Sequence, residues 1–273
     1  MSRVSATTRI AATVATTDSG GGAGIQADLK TFAACSVYGV SVAVALTAQN
    51  TIQVRSIHPL PLDFVREQFE ALDSDLRPTA AKTGMLLSAA HIEVVCDELG
   101  KRNWGPLVVD PVMVAKSGDR LLEEEAVETM RQELLPLALV VTPNWPEAAT
   151  LSGLPVGDEA EAIRAGRFIG DLGVDFVVVK GGHSSGDPTD LVVHQGGGVT
   201  RLEGRRLPTR HTHGTGCTFS AAIAAHLARG QAPLDAIYEA KKYVTAAIAA
   251  APGLGAGHGP LEHFPPGWPK GKP

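Results

Sequence analysis

The sequence predicts an α/β protein built on a mainly parallel sheet with helices on both faces. Three observations carry that prediction. Short β-branched runs alternate with longer helical patterns along most of the chain, the succession that builds parallel sheets. Glycine-rich turns follow such runs at residues 20–22, 181–182 and 214–216. Polar residues also stand just past the ends of the runs: Asp18, Gln49, Asn50, Asp110, Asn144, Glu147 and Lys180. In a parallel sheet those ends gather along one edge, which is where ligands lie.

Residues 10–16 are an apolar, β-branched run that ends in Asp18-Ser19 and the glycines 20–22, and a helical pattern follows through Lys30 and Phe32. Gly22-Ala23-Gly24-Ile25-Gln26-Ala27 fits the G-x-G-x-x-A dinucleotide fingerprint. Yet no acidic residue stands between Asp28 and Asp63 to hold a ribose, which weighs against a nicotinamide enzyme. Residues 38–47 read as a strand closing on Gln49-Asn50, 61–76 as an amphipathic helix and 80–85 as a strand. Residues 88–102 form a helix capped by Ser88, and 106–112 a strand running into Asp110-Pro111-Val112-Met113. A helix over 121–134, a strand over 137–141 and a loop over 142–147 follow, the loop opening the next helix. Then come a helix over 160–172 and a strand over 176–180. Residues 191–194 and 199–207 look like a β-meander, and helices over 217–228 and 234–250 end the pattern. No repeat or linker divides the chain, so 1–273 is expected to form one domain, with 1–8 and 264–273 as mobile ends.

A 273-residue chain with 44% hydrophobic residues can bury a large core, and its net charge of −5 argues against nucleic acid or an anionic membrane as the main partner. A small molecule is the expected partner. The three cysteines are far apart with no C-x-x-C spacing, which suits a reducing cytoplasm. No apolar run reaches membrane-spanning length.

The turn Gly214-Thr215-Gly216 before an Ala-rich helix should present free backbone N–H groups at a helix N-terminus, an anion site. Cys217 lies in that field, where a thiol pKa is expected to be lowered, making it a candidate base or nucleophile. Asp110 and Glu147, each of which could equally be a helix cap or a solvated loop charge, together suit Mg²⁺, which takes oxygen ligands. No G-x-x-x-x-G-K-[ST] is present, so a nucleotide would not be held by a P-loop. Gly182-His183-Ser184-Ser185-Gly186 matches G-x-S-x-G but leads into another strand rather than a helix, unlike a nucleophile elbow. The pair His211-x-His213 has no partners at zinc spacing.

The motifs Gly21-Gly22-Ala23-Gly24-Ile25-Gln26-Ala27-Asp28-Leu29-Lys30-Thr31, Ala48-Gln49-Asn50-Thr51, Asp110-Pro111-Val112-Met113 with Lys116-Ser117-Gly118-Asp119, Thr142-Pro143-Asn144 with Glu147, Lys180-Gly181-Gly182-His183, and Thr212-His213-Gly214-Thr215-Gly216-Cys217 span nearly the whole chain. With Gly257-His258-Gly259-Pro260 and His263, they resemble the hydroxymethylpyrimidine and phosphomethylpyrimidine kinases of thiamine biosynthesis, within the ribokinase-like superfamily. The resemblance implies a three-layer αβα kinase that uses ATP and Mg²⁺ and forms a homo-oligomer, with a dimer favoured. It implies that Cys217 deprotonates the substrate hydroxymethyl group beside the Gly214, Thr215 and Gly216 turn. Asp28, Gln49, Met85 and Val112 would border the pyrimidine, with Gln49 reading its edge. Asn144 and Lys180 would lie on the nucleotide side, with Asp110 and Glu147 at the metal. Thr16 and Gly20 depart from the family pattern beside the substrate loop. Pyridoxine and pyridoxal kinases share the fold and are the alternative activity; a catalytically silent ligand-binding protein is the alternative class.

Overall fold

The structure is a computed structural model that describes residues 8–113, 123–183 and 186–268. A nine-stranded sheet runs through them: β1 (Ile10–Thr16), β2 (Tyr38–Gln49), β3 (Val54–Pro59), β4 (Ala80–Thr83), β5 (Leu107–Val109), β6 (Val140–Val141), β7 (Phe176–Val179), β8 (Asp190–His194) and β9 (Val199–Leu202). Their spatial order is β3-β2-β1-β4-β5-β6-β7-β8-β9. Strands β2, β1, β4, β5, β6 and β7 are parallel, while β3 pairs antiparallel on one edge and β8 and β9 on the other.

The central strands are continuous apolar runs because both of their faces are covered. Alternate residues enter opposite cores. Ala12, Val109, Val141, Val177 and Val179 belong to one, with side chains from α2 (Leu62–Asp75), α3 (Ala89–Gly100), α4 (Glu124–Thr129), α5 (Trp145–Ser152) and α6 (Glu159–Gly170). Ala11, Val108, Val140 and Val178 belong to the other, with α1 (Gly24–Ala34), α7 (Thr215–Ala228) and α8 (Pro233–Ala249). Two helical layers around one mainly parallel sheet make the three-layer αβα architecture. Helix α7 packs on β1, β4 and β5 between α1 and α8. Its side chains there are mostly alanines, fully buried at Ala221, Ala222, Ala224 and Ala225, which suits close approach to the sheet.

Two local expectations are corrected, and one strand has no counterpart in the sequence reading. Strand β3 lacks the apolar alternation that would announce it, because most of its residues are exposed on the edge of the sheet. The helix expected over 121–134 is regular only over α4; it widens into a π turn at Met130–Leu134 and tightens into a 3₁₀ turn at Leu135–Leu137, where Pro136 has no N–H to continue it. Of the end expected to be mobile, Trp268 is seated, its ring 4.9 Å from that of Tyr243. Residues 1–7 and 269–273, the Lys116 to Asp119 motif, and Ser184-Ser185 of the G-x-S-x-G match lie outside the described residues.

Candidate active site

The carboxyl ends of β1, β4, β5, β6 and β7 and the N-terminus of α7 open onto a cavity of about 880 Å³. Gln49, Met85, Val112, Asp110, Asn144, Glu147, Lys180 and Gly214 to Cys217 all line it. Residues separated by more than 160 positions are thereby brought to one edge of the sheet, as the strand-end reading expects.

Two loops clasp each other at its floor. Asp18, just past β1, accepts the N–H of Gly20 at 2.8 Å on Oδ1, and those of Gly22 at 3.1 Å and Ala23 at 2.9 Å on Oδ2. His213 Nε2 lies 2.9 Å from the same Oδ2. Burial alone would raise the Asp18 pKa, but His213 and the backbone donors hold this carboxyl below its ordinary range. Loop amides that a dinucleotide fingerprint would offer to a pyrophosphate are thus spent on Asp18. Gly214, at φ +80°, fits against this loop only without a side chain, since a Cβ there would come 1.8 Å from Gly22 O.

On the other side, Asp110 follows β5, Lys180 follows β7, and Glu147 stands in the first turn of α5. Lys180 Nζ lies 3.2 Å from Asp110 Oδ1 and 3.7 Å from Glu147 Oε2. Asn144 and Glu147 also form a reciprocal cap: Glu147 N–H donates to Asn144 Oδ1 at 2.9 Å, and Asn144 N–H to Glu147 Oε2 at 2.7 Å. The capping role and the site role therefore fall on the same two residues. A Cβ at Gly216 would lie 3.4 Å from both Asp110 Oδ2 and Lys180 Nζ, so this cluster faces the start of α7 at van der Waals distance.

Burial, with Asp110 adding to it and Lys180 opposing, pushes the Glu147 carboxyl up to about 7. Although burial alone would lower it, Lys180 is held above its ordinary value by Asp110 and Glu147. Asp110 Oδ2 is buried and without a hydrogen-bond partner. That orphaned oxygen, with a second carboxylate nearby, fits Mg²⁺, which is commonly held by one or two carboxylates plus substrate phosphates. Among the described residues no group of three or more His, Cys, Asp or Glu forms a closed metal cage.

Two expectations for the site do not hold. The Cys217 thiol is not lowered by the helix N-terminus: burial first, then the Asp110 and Asp28 carboxylates, push it up to about 12 against Lys82 and a Gly24 backbone hydrogen bond. Asp28 does not line the cavity. It lies fully buried beneath it and bonds Lys82 Nζ at 2.8 Å and Thr13 Oγ1 at 2.6 Å. Lys82 lines the cavity in its place and was not singled out in the sequence, where a lysine inside a short strand gives no such signal. The apolar side of the cavity, with Leu207, Pro208, Val244 and Ile248, also escapes sequence reading, because it is assembled from two distant segments.

The family model described as phosphomethylpyrimidine kinase matches residues 18–262. A hydroxymethylpyrimidine/phosphomethylpyrimidine kinase of Rhizobium meliloti is 49% identical over 265 residues, covering 96% of this chain and 99% of the relative. One from Staphylococcus aureus is 45% identical over 260 residues, 94% of each chain. Among solved structures, an ADP complex of Bacillus subtilis pyridoxal kinase superposes with a TM-score of 0.88 at 37% identity, over 94% of this chain and 97% of that one. Phosphomethylpyrimidine kinase from Clostridium difficile gives 0.78 at 40% identity, over 87% and 98%. Matched by that model over residues 18–262 and by relatives over 94% or more of its length, the chain belongs to the phosphomethylpyrimidine kinase family and is a kinase.

Proposed function

We propose that the protein transfers the γ-phosphoryl group of ATP to the hydroxymethyl group of 4-amino-5-hydroxymethyl-2-methylpyrimidine, and then phosphorylates the resulting monophosphate, in thiamine biosynthesis. The observation that carries this reading is the single cavity that joins Gln49, Met85 and Val112 to the Gly214 to Cys217 turn and to Asp110, Glu147 and Lys180. A flat polar ring fits the first group and a transferring phosphoryl the second. Leu207, Pro208, Val244 and Ile248 offer an apolar cleft for the nucleotide base.

The substrate hydroxyl oxygen bonds to the γ-phosphorus as the bond from that phosphorus to the β–γ bridging oxygen breaks, the electron pair leaving with ADP. Phosphoryl transfer asks mainly for positioning and charge stabilisation. The N–H groups at the start of α7 face the transferring group, Lys180 supplies positive charge, and Cys217, as thiolate, takes the hydroxyl proton. Mg²⁺, when bound by Asp110 and Glu147, would neutralise phosphate charge. Three cysteines without a disulfide suit a cytoplasmic enzyme. Exposed Leu46 and Ile52, on and beside the β2–β3 edge, support a homo-oligomer.

The TM-score of 0.88 to pyridoxal kinase favours a second reading, phosphorylation of pyridoxal or pyridoxine. A panel of hydroxymethylpyrimidine, its monophosphate, pyridoxal and pyridoxine with ATP separates the two. Turnover of neither pyrimidine would overturn the first reading, and no turnover of any alcohol would leave a ligand-binding protein.

A further inference from the structure

The side-chain amide of Gln49 sits between two groups that dictate its orientation. Its Nε2 end lies 3.4 Å from His213 Nε2, and its Oε1 end 3.5 Å from Thr47 Oγ1. His213 Nε2 also faces Asp18 Oδ2 at 2.9 Å. That carboxylate only accepts, and the N–H groups of Gly20, Gly22 and Ala23 already surround it, so His213 must carry its proton on Nε2. Thr47 has one hydroxyl proton and donates it to Thr17 O at 2.8 Å, so toward Gln49 its oxygen can only accept. The amide therefore meets donor with donor at one end and acceptor with acceptor at the other. A half-turn about its Cγ–Cδ bond puts Oε1 where it can share, as a three-centre bond, the Nε2 proton that His213 directs at Asp18, and puts Nε2 toward the Thr47 oxygen, without changing the amide's shape.

We propose that His213, fixed by Asp18, holds the Gln49 amide with Oε1 toward the imidazole and Nε2 toward Thr47, and so selects a substrate edge that carries a donor on the His213 side and an acceptor on the Thr47 side. The substrate half of this rests on the reading above; the orientation of the amide does not. An aminopyrimidine fits, its exocyclic amino group donating to Oε1 and its adjacent ring nitrogen accepting from Nε2. The 4-oxo analogue, with C=O beside a ring N–H, presents the reverse pattern and fails at both contacts. His213 is thus a positioning residue: it touches Gln49 rather than the reacting atoms. The same imidazole precedes Gly214, so the contact that orients the reader of the ring also ties the Asp18 loop to the phosphoryl turn.

Two measurements test this on the full chain. Nitrogen-15 shifts of the His213 ring in the ligand-free protein should show a proton on Nε2, and an unprotonated Nε2 overturns the proposal. Binding and kcat/KM are then compared for 4-amino- and 4-oxo-5-hydroxymethyl-2-methylpyrimidine. The native protein should favour the amino compound by about 10²-fold, from two mismatched hydrogen bonds. His213→Phe should reduce that preference about tenfold or more by freeing the amide to turn. Thr47→Val, which leaves His213 and the phosphoryl turn unaltered, should shift it the same way and keeps the test decisive if His213→Phe folds poorly. A preference unchanged in a folded variant overturns the proposal. A native protein that binds neither pyrimidine overturns the substrate reading instead, while the ring shifts still test the His213 proton on which the orientation rests.

Discussion

Lys82 Nζ lies 2.8 Å from Asp28 Oδ2, and neither side chain reaches solvent. Burial alone would lower the lysine pKa, but Asp28, with Cys217 and Asp110, holds it above its ordinary value, so the ammonium stays charged beside the cavity. Asp28 meets the cavity through Lys82, which lines it while Asp28 does not. Removing one partner of such a pair leaves an uncompensated buried charge, whereas replacing both is often near neutral. Lys82→Met should therefore destabilise the fold by about 3 to 5 kcal/mol, and Asp28→Asn added to it should recover most of that loss. Urea unfolding of the single and double variants measures it; a double variant no more stable than the single one would dismiss the pair as the cause.

Gln49 is expected to supply much of the pyrimidine affinity, since its amide can donate and accept on one ring edge. Gln49→Leu leaves the ring's polar atoms unmatched and should cost about 1 to 3 kcal/mol of hydroxymethylpyrimidine binding. Isothermal calorimetry of the variant reads this directly, and equal affinity would remove Gln49 from the pocket.

Much of this site was legible from strand ends and glycine turns, because those features are local. The Gly214 to Gly216 turn, the capping pair Asn144 and Glu147, and the order of β and α elements each follow from neighbouring residues. What escaped is made by pairs distant in sequence: Asp28 with Lys82, 54 residues apart, and Asp18 with His213, 195 apart. The His211-x-His213 pair shows in the sequence only a lack of zinc partners, because the carboxylate that His213 meets lies at the other end of the chain. Cys217 shows the same limit. Its helix N-terminus is written locally, but the burial and carboxylates that outweigh it come from α1, β5 and their packing.

Glu147 should make the magnesium requirement depend on pH. Burial, with Asp110, pushes its carboxyl up to about 7, so the ionised form that can serve a cation is lost as pH falls through that value. The Mg²⁺ concentration giving half-maximal activity should accordingly drop between pH 6 and 8, a window set by the pKa of about 7. Glu147→Gln should raise the requirement at pH 8 and flatten its pH dependence, while pyrimidine affinity is unchanged. Identical magnesium titrations for the two proteins would remove Glu147 from the metal site.

Cys217 is the sharpest case, because the thiol is pushed up to about 12 while the proposed chemistry asks it to accept a proton. Below that value the thiolate fraction grows tenfold for each pH unit, so kcat should climb by about tenfold per unit above neutral pH wherever proton removal limits the rate. A general base contributes about 10² to 10⁴-fold, and losing one well-aimed donor from an anion hole costs about 10² to 10³-fold. Cys217→Ala removes the thiol but keeps the backbone N–H. It should lose about 10²-fold or more in kcat near pH 8, flatten the pH profile and leave ATP affinity unchanged. Cys217→Asp, which supplies a carboxylate in place of the thiol, should recover part of the loss near neutral pH. Gly216→Pro should be worse than either, since it deletes an N–H from the start of α7 and disturbs the turn. Steady-state kinetics across pH on the four proteins separates the roles. A Cys217→Ala enzyme with nearly full kcat and the native pH profile would refute the base and leave the start of α7 as the chief catalytic device.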